Sequence, residues 1–452
     1  MTLKRLCNTT SHQSASYNVQ TSFELKEHLP LALFELLSFF PLHKAGLPDF
    51  LEYLKGLNAE GEEDRFSIHL QNVLRDLHEC QDSIGQLSDT SGSVNPIVIL
   101  DALRKDQKYI AGEQQDSHEA FNFIVSVLER ESQKNKGAPA ILMRDKYKDL
   151  LTASQLMNSS RGIFDSNKQT WESEGDFKNP FESLITYNDR CIQCGKYKAK
   201  VNQATFCYSL PLEASTSTME ECFSKHFSTE VIDDVYCDMC TLKEVHKKIT
   251  DTPLQYFPAA MKMGIAGEND YFLHETHFES QEMKEFLSKV GVSRMATTVE
   301  RRLYIVQSPQ IMVLHLNRAI FDTSTGMSRK LGQIVHFPFA FRLDSSSTDE
   351  DDLTTHMRII DTGTSTGPGA YPQSFYSLVA VLVHTASASV HYGHYYSCIL
   401  DSKGRWLGVS DNSVWMMTLD QVRSAPAFLL FYEKKQGSNV YMQHEWKETL
   451  KN

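Results

Sequence analysis

Tyr376-Ser377-Leu378-Val379-Ala380-Val381-Leu382-Val383-His384 opens the stretch whose reading decides the fold. Gly393-His394-Tyr395-Tyr396-Ser397 follows, then Trp406-Leu407-Gly408-Val409-Ser410-Asp411-Asn412, and last Ala427-Phe428-Leu429-Leu430-Phe431-Tyr432. Apolar and β-branched runs broken by Gly- and Asp-containing turns read as strands of one antiparallel sheet. They put an imidazole on one strand and a short polar side chain on the next. That pairing is the general-base half of a hydrolase triad: the imidazole takes a proton and its neighbour fixes tautomer and orientation. His391 lies close by, but the Gly393 turn favours His394 as the base. The nucleophile is not in this stretch.

Upstream, the first 22 residues are rich in Ser, Thr, Asn and Gln and read as disordered. From Leu29 to about Leu77, Leu and Phe recur at helical spacing. Gln115 to Glu131 is the strongest helix pattern, with Phe121, Ile124, Val125 and Leu128 on one apolar face. Asp116 with Glu119 three residues on forms a candidate capping box. Residues 132–175 are polar and weakly patterned, as expected of a mobile insertion. From Phe177 the pattern turns to β. Leu343 to Pro372, dense in Ser, Thr, Asp and Gly, reads as a long surface loop, with a solvated acidic run at Asp349-Glu350-Asp351-Asp352.

A net charge of −12 argues against a nucleic-acid binder and suits partners with basic surface. With 41% hydrophobic and 23% charged residues the chain is of soluble globular type. The start Met1-Thr2-Leu3-Lys4-Arg5 has no apolar run behind it, so no secretory signal is expected. The longest apolar run, Leu29 to Phe40, is interrupted by Pro30 and Glu35 and is shorter than the roughly 20 residues a bilayer span takes. A cytosolic location is therefore expected for this chain.

Nine cysteines are too few for a disulfide scaffold, and four come as Cys191-Ile192-Gln193-Cys194 and Cys237-Asp238-Met239-Cys240. Two residues between cysteines let a tight turn aim both sulfurs at one ion, and two such knuckles complete a tetrahedral site. The expectation is a structural zinc, with no ligand position left open for catalysis. The 42 residues between the pairs suggest a β-hairpin extension. His315 and His384 lie inside apolar runs and read as buried structural histidines. His274 and His277 lack a helix cap and make a poor metal pair.

Four of these motifs together resemble one family, the ubiquitin-specific proteases. Gln114-Gln115-Asp116-Ser117-His118-Glu119 looks like its glutamine-glutamine-aspartate block, and the cysteine pairs look like its zinc-bearing fingers. Ser308-Pro309-Gln310-Ile311-Met312-Val313-Leu314-His315-Leu316-Asn317-Arg318 is similar to its central strand block, and Gly393-His394-Tyr395 to its histidine box. The resemblance runs from about residue 29 to residue 433. It implies an α+β, papain-like fold shaped as a right hand. The thumb would span 23–131, an insertion 132–176, fingers and palm 177–433, and a tail 434–452. It further implies ubiquitin and ubiquitinated proteins as partners, and cysteine hydrolysis of the isopeptide bond after the ubiquitin tail. His394, Ser410 and Asp411 would then be catalytic, and Gln115, Asp116 and Tyr395 would border the tail channel.

Two departures stand out. The third triad position, usually Asn or Asp in the family, is Ser410, followed by Asp411. This pair after Trp406-Leu407-Gly408-Val409 looks like the branch anchored in the mitochondrial outer membrane, so a longer product with an anchor would sit there. The cysteine box is missing as well. Leu33-Phe34-Glu35-Leu36-Leu37-Ser38 resembles the end of the helix that box opens, and counting back puts the nucleophile near His28. No cysteine occurs between Cys7 and Cys80. Cys7, in Arg5-Leu6-Cys7-Asn8-Thr9, lacks the upstream asparagine that would help bind an oxyanion. The chain therefore reads as a deubiquitinase without its nucleophile, such as a truncated or mis-spliced product. The alternative is a non-catalytic ubiquitin-binding pseudo-enzyme.

Overall fold

A computed structural model describes residues 17–18, 46–57, 65–82, 99, 102, 117–135, 179–196, 201–248, 281–322, 326–346, 356–361, 374–385, 394–401, 404–410 and 413–435. Among the described residues, the helices with defined bounds that come first are α1 (Gly46–Leu57), α2 (Phe66–Asp82) and α3 (Ser117–Asn135). On α3, Phe121, Ile124, Val125 and Leu128 are all buried, so the apolar spacing forms one face. Glu131 of the same helix caps α2: its carboxylate accepts Phe66 N–H at 2.8 Å and Ser67 N–H at 3.1 Å. Two amides that α2 cannot satisfy internally thus meet a negative charge at its N-terminus. The helix runs on to Asn135, into the stretch read as insertion.

In chain order the strands are β1 (Tyr17–Asn18), β2 (Ser183–Cys191), β3 (Val201–Thr205), β4 (Tyr208–Pro211), β5 (Glu230–Tyr236), β6 (Ala296–Gln307), β7 (Ile311–Asn317) and β8 (Ala319–Asp322). They continue as β9 (Met327–Lys330), β10 (Ala340–Ser346), β11 (His356–Asp361), β12 (Ser374–His384), β13 (Tyr395–Leu400), β14 (Trp406–Ser410), β15 (Ser413–Met417) and β16 (Ala427–Lys435). Four more helices join them: α4 (Met219–His226), α5 (Asp238–Lys248), α6 (Gln281–Val290) and α7 (Leu419–Arg423).

The main sheet runs β1-β15-β14-β13-β12-β16-β7-β4, with β10 also on β12 and β11 on β10. The strands read from the C-terminal runs lie side by side in it, antiparallel as expected. Its central strands are buried on both faces. On β7, Ile311 and Val313 pack with α1–α3, whereas Met312, Leu314 and Leu316 pack with Met219 and Phe223 of α4. Two-sided burial explains why such strands read as unbroken apolar runs. A second sheet, β3-β2-β6-β5, carries the cysteine pairs, and β8 and β9 form a separate hairpin.

Two expectations are corrected. The stretch 343–372 is not all loop: β10 and β11 pair from Phe341↔Asp361 to Ser346↔His356. Phe341 and Leu343 of β10 are buried, and β11 carries Met357, Ile359 and Ile360 within a stretch otherwise dense in Ser, Thr, Asp and Gly; among the described residues it pairs with β10 alone, as an edge strand. The acidic run at 349–352 lies outside the described residues. The gap between the cysteine pairs is not a simple hairpin extension either. It holds β3, β4, α4 and β5, and β4 leaves to pair in parallel with β7 of the main sheet.

Candidate active site and cysteine cluster

His394 directly precedes β13 and Ser410 ends β14. Antiparallel pairing of these strands, Ser397↔Val409 through Leu400↔Trp406, brings the two together. His394 Nε2 lies 2.6 Å from Ser410 Oγ, and Ser410 Oγ lies 3.4 Å from the Tyr395 carbonyl. With Nε2 carrying the proton, the ring donates to Ser410, whose own hydroxyl hydrogen points toward that carbonyl. The ring's other nitrogen, Nδ1, is then the basic one. Gly408 makes the local packing possible, because a Cβ there would overlap the Trp415 ring from β15. Trp415 sits directly opposite Gly408 in register.

Behind His394 the main chain is tied to the end of β12. Thr385 N–H and Thr385 Oγ both donate to the His394 carbonyl, each at 2.8 Å. The neighbouring rings of His384 and Tyr395 stack nearly flat, 4.3 Å apart at 9°. Phe428 meets His384 edge-on at 5.9 Å and His315 at 4.8 Å, and His315 stacks on His118 of α3 at 4.0 Å. The rings thus form a file from the helical layer to the strand that begins beside His394. Tyr395 itself is buried and part of the core against α1–α3.

Burial lowers the pKa of His315 to about 3, with the His118 and Arg318 side chains adding to the shift. It lowers that of His384 to about 4, helped by Lys330. His118 is shifted down by burial too. Ser209 Oγ lies 3.0 Å from His315 Nδ1. His315 and His384 are neutral packing groups, as their apolar strand settings suggest.

The cysteines of the second sheet converge. Cys191 ends β2, Cys194 follows in a turn closed by Gly195 at φ +72°, Cys237 follows β5 and Cys240 lies in the first turn of α5. Cys191 Sγ is 3.8 Å from Cys240 Sγ, Cys194 Sγ is 3.6 Å from Cys237 Sγ, and all four lie within 4.8 Å of one another. Sulfurs 2.3 Å from a tetrahedral centre would be about 3.8 Å apart, so the cluster can hold a metal ion, and these separations are far beyond a disulfide bond. Burial opposes ionisation of Cys191, yet its hydrogen bonds with Thr297 and with the Cys194 backbone bring it down to about 6. Burial pushes Cys237 up to about 12 and Cys240 higher still. Cys237 and Cys240 so shifted stay protonated, and a bound cation would be what makes all four thiolates.

Several expected site residues lie outside the described residues: Gln115, Asp116, Asp411, His391, His274, His277, Cys7 and the position of His28. The described cysteines outside the cluster are poor nucleophiles. Burial pushes Cys222 up to about 11 and Cys398 up to about 12, and raises Cys207 further. Cys398 is also four residues along an extended strand from His394, roughly 13 Å. Thr385 and the His118–His315 stack were not singled out from sequence. An isolated threonine after a strand carries no signal, and the stack joins residues far apart in the chain.

A family profile described as ubiquitin carboxyl-terminal hydrolase matches residues 1–432. Ubiquitin carboxyl-terminal hydrolase 30 of Danio rerio is 23% identical over 436 residues, which cover 88% of this chain and 83% of that protein. The Homo sapiens protein of the same name is 24% identical over 484 residues, covering 89% and 82%. Ubiquitin carboxyl-terminal hydrolase 4 of Arabidopsis thaliana is 24% identical over 374 residues, covering 80% and 76%. Among solved structures, the SAGA Ubp8/Sgf11/Sus1/Sgf73 DUB module bound to ubiquitin aldehyde superposes with a TM-score of 0.55 at 18% identity, covering 91% of this chain and 68% of that one. That likeness is one of fold.

Proposed function

The chain belongs to the ubiquitin carboxyl-terminal hydrolase family, cysteine-type deubiquitinases, and from that premise we propose that it grips the C-terminal tail of ubiquitin between its helical layer and its main sheet. In this reading α1–α3 belong to a thumb over 23–131, and the two sheets are palm and fingers within 177–433. Residues 132–176 are an insertion and 434–452 a tail. Gln115, Asp116 and Tyr395 border the tail channel. His394 is the general base, Ser410 its orienting partner and Asp411 a supporting polar group. The four cysteines hold a structural zinc, which when bound ties β2 and β5 to α5 and takes no part in the chemistry.

The observation that carries this reading is the 2.6 Å contact between His394 Nε2 and Ser410 Oγ. It directs Nδ1 to exchange a proton with a thiol, the step that makes a cysteine nucleophilic. The missing partner is that thiol. Tyr17 and Asn18 run antiparallel along β15, opposite Val414 and Ser413, heading toward the end of the sheet where Ser410 lies. A nucleophile position near His28, where no cysteine stands, rests on the count back from Leu33-Phe34-Glu35-Leu36-Leu37-Ser38. The chain then holds ubiquitin conjugates without cleaving them. A second reading, hydrolysis through Cys7, draws on the family match beginning at residue 1.

Ubiquitin carrying a C-terminal electrophile tests both. Expected are measurable binding and no covalent adduct for the chain, and an adduct for His28→Cys that depends on His394. An adduct formed by the unaltered chain and lost in Cys7→Ala would establish the second reading. Brisk turnover of a ubiquitin C-terminal reporter without Cys7 would overturn both. As for location, the Trp406-to-Asp411 resemblance supports action at the mitochondrial outer membrane for a product carrying an anchor. Among the described residues no helix is long and apolar enough to cross a membrane.

A further inference from the structure

Register places Thr385 directly opposite His394, one step beyond the His384↔Tyr395 pair that closes the β12–β13 ladder. Its two donors, N–H and Oγ–H at 2.8 Å each, occupy a single acceptor, the His394 carbonyl. An exposed threonine that spends its hydroxyl on a backbone carbonyl already held by its own amide is an unusual investment for strand pairing alone. One residue along, His384 lies flat on Tyr395, and its carbonyl accepts Lys330 Nζ at 2.8 Å from β9. The residues on both strands around His394 are thus fixed from the β12 side.

We propose that Thr385 and His384 are positioning residues that set the backbone of His394 so that its ring stays against Ser410. The proposal rests on His394 acting as the base. A carboxylate in the third position would hold the imidazole by charge as well as by a hydrogen bond. Ser410 offers a neutral hydroxyl, roughly half as strong an acceptor, so a fixed backbone at His394 adds to what Ser410 does for ring orientation. Main-chain bonding at His394 and ring stacking at Tyr395 supply that fixation. Asp411 lies outside the described residues.

The test uses the full chain with 15N-labelled histidine, reading the tautomer of His394 and the exchange of its Nε2 proton by NMR. The unaltered chain should show one tautomer, protonated at Nε2. Thr385→Val should mix the tautomers and speed Nε2–H exchange roughly fivefold, the effect of one hydrogen bond, while Thr385→Ser restores the original signal. His384→Ala should behave like Thr385→Val, and His384→Phe, which keeps a flat ring on Tyr395, like the unaltered chain. Melting temperatures of the Thr385 pair should agree, separating positioning from stability. Ser410→Ala is the control. If it alters the His394 signal while Thr385→Val and His384→Ala do not, the positioning role is wrong and the base assignment stands. If Ser410→Ala also leaves the signal unchanged, the His394–Ser410 reading falls and the proposal with it.

Discussion

Mild acid should weaken this fold chiefly through its buried histidines. His315, with a pKa near 3, and His384, with one near 4, are neutral in the folded chain at pH 5. In the unfolded chain, at about 6.5, both would be almost fully protonated at that pH. The folded state therefore binds fewer protons, and stability rises with pH. The contribution is complete above pH 6.5 and is lost as the pH falls from there toward the folded values. Between pH 7 and pH 5 each histidine should remove a little under 2 kcal/mol, about 3–4 kcal/mol for the pair. That is a large share of the 5–15 kcal/mol typical of a folded domain. His118 and His226, lowered by burial, act in the same direction. Glu433, raised by burial, opposes them in part. Urea unfolding followed by tryptophan fluorescence at the two pH values measures the loss. His315→Phe and His384→Phe should each remove about half of it. An equal urea midpoint at pH 5 and pH 7, or a full acid loss in both variants, would refute the reasoning.

Three further outcomes are expected. Metal analysis of protein kept reduced should find one zinc per chain. Chelation or Cys191→Ser should then expose the β3-β2-β6-β5 sheet to proteolysis and leave the main sheet intact, since metal binding is coupled to local folding; protein without bound metal would contradict this. Gly408→Ala should destabilise the chain by about 1–3 kcal/mol in urea unfolding, because the new methyl group meets the Trp415 ring. In the His28→Cys background, His394→Ala should slow adduct formation with the electrophilic ubiquitin by about 10²–10⁴-fold and Ser410→Ala by much less, since the base moves the proton and its partner only orients it. Equal losses would show that the two roles are not separable.

Much of this architecture is legible in the sequence because local pattern and environment agree. The α3 face follows from Phe121, Ile124, Val125 and Leu128, and the central strands from apolar runs buried on both faces. The paired cysteines announce their own convergence, since two-residue spacing leaves few other uses for four thiols. The β10–β11 pairing is hard to read because its short apolar signal, Leu343 on one strand and Met357, Ile359 and Ile360 on the other, is set in a stretch dense in Ser, Thr, Asp and Gly. The path between the cysteine pairs was missed for a different reason. The departure of β4 to the main sheet is a long-range choice, and Tyr208-Ser209-Leu210-Pro211 says nothing about which sheet it will join.

The candidate site divides along the same line. His394 and Ser410 are visible in sequence because each sits in a strand motif with its own pattern. What holds them in place is not: Thr385 contributes a hydroxyl and an amide to a residue nine positions away. His118 reaches His315 across the seam between helices and sheet. Such contacts arise from register and layer packing, which a one-dimensional pattern does not encode. They also bear on how a serine could serve opposite His394 in the proposed site. The Ser410 hydroxyl accepts a hydrogen bond from the imidazole N–H, and its own hydrogen is directed to the Tyr395 carbonyl at 3.4 Å, which orients its lone pairs toward the ring. Tyr395 is in turn fixed by the flat His384 ring. The neutral relay therefore ends on a backbone dipole whose position is set by packing, so its quality depends on the ring file behind it, where a carboxylate would depend mainly on its own charge.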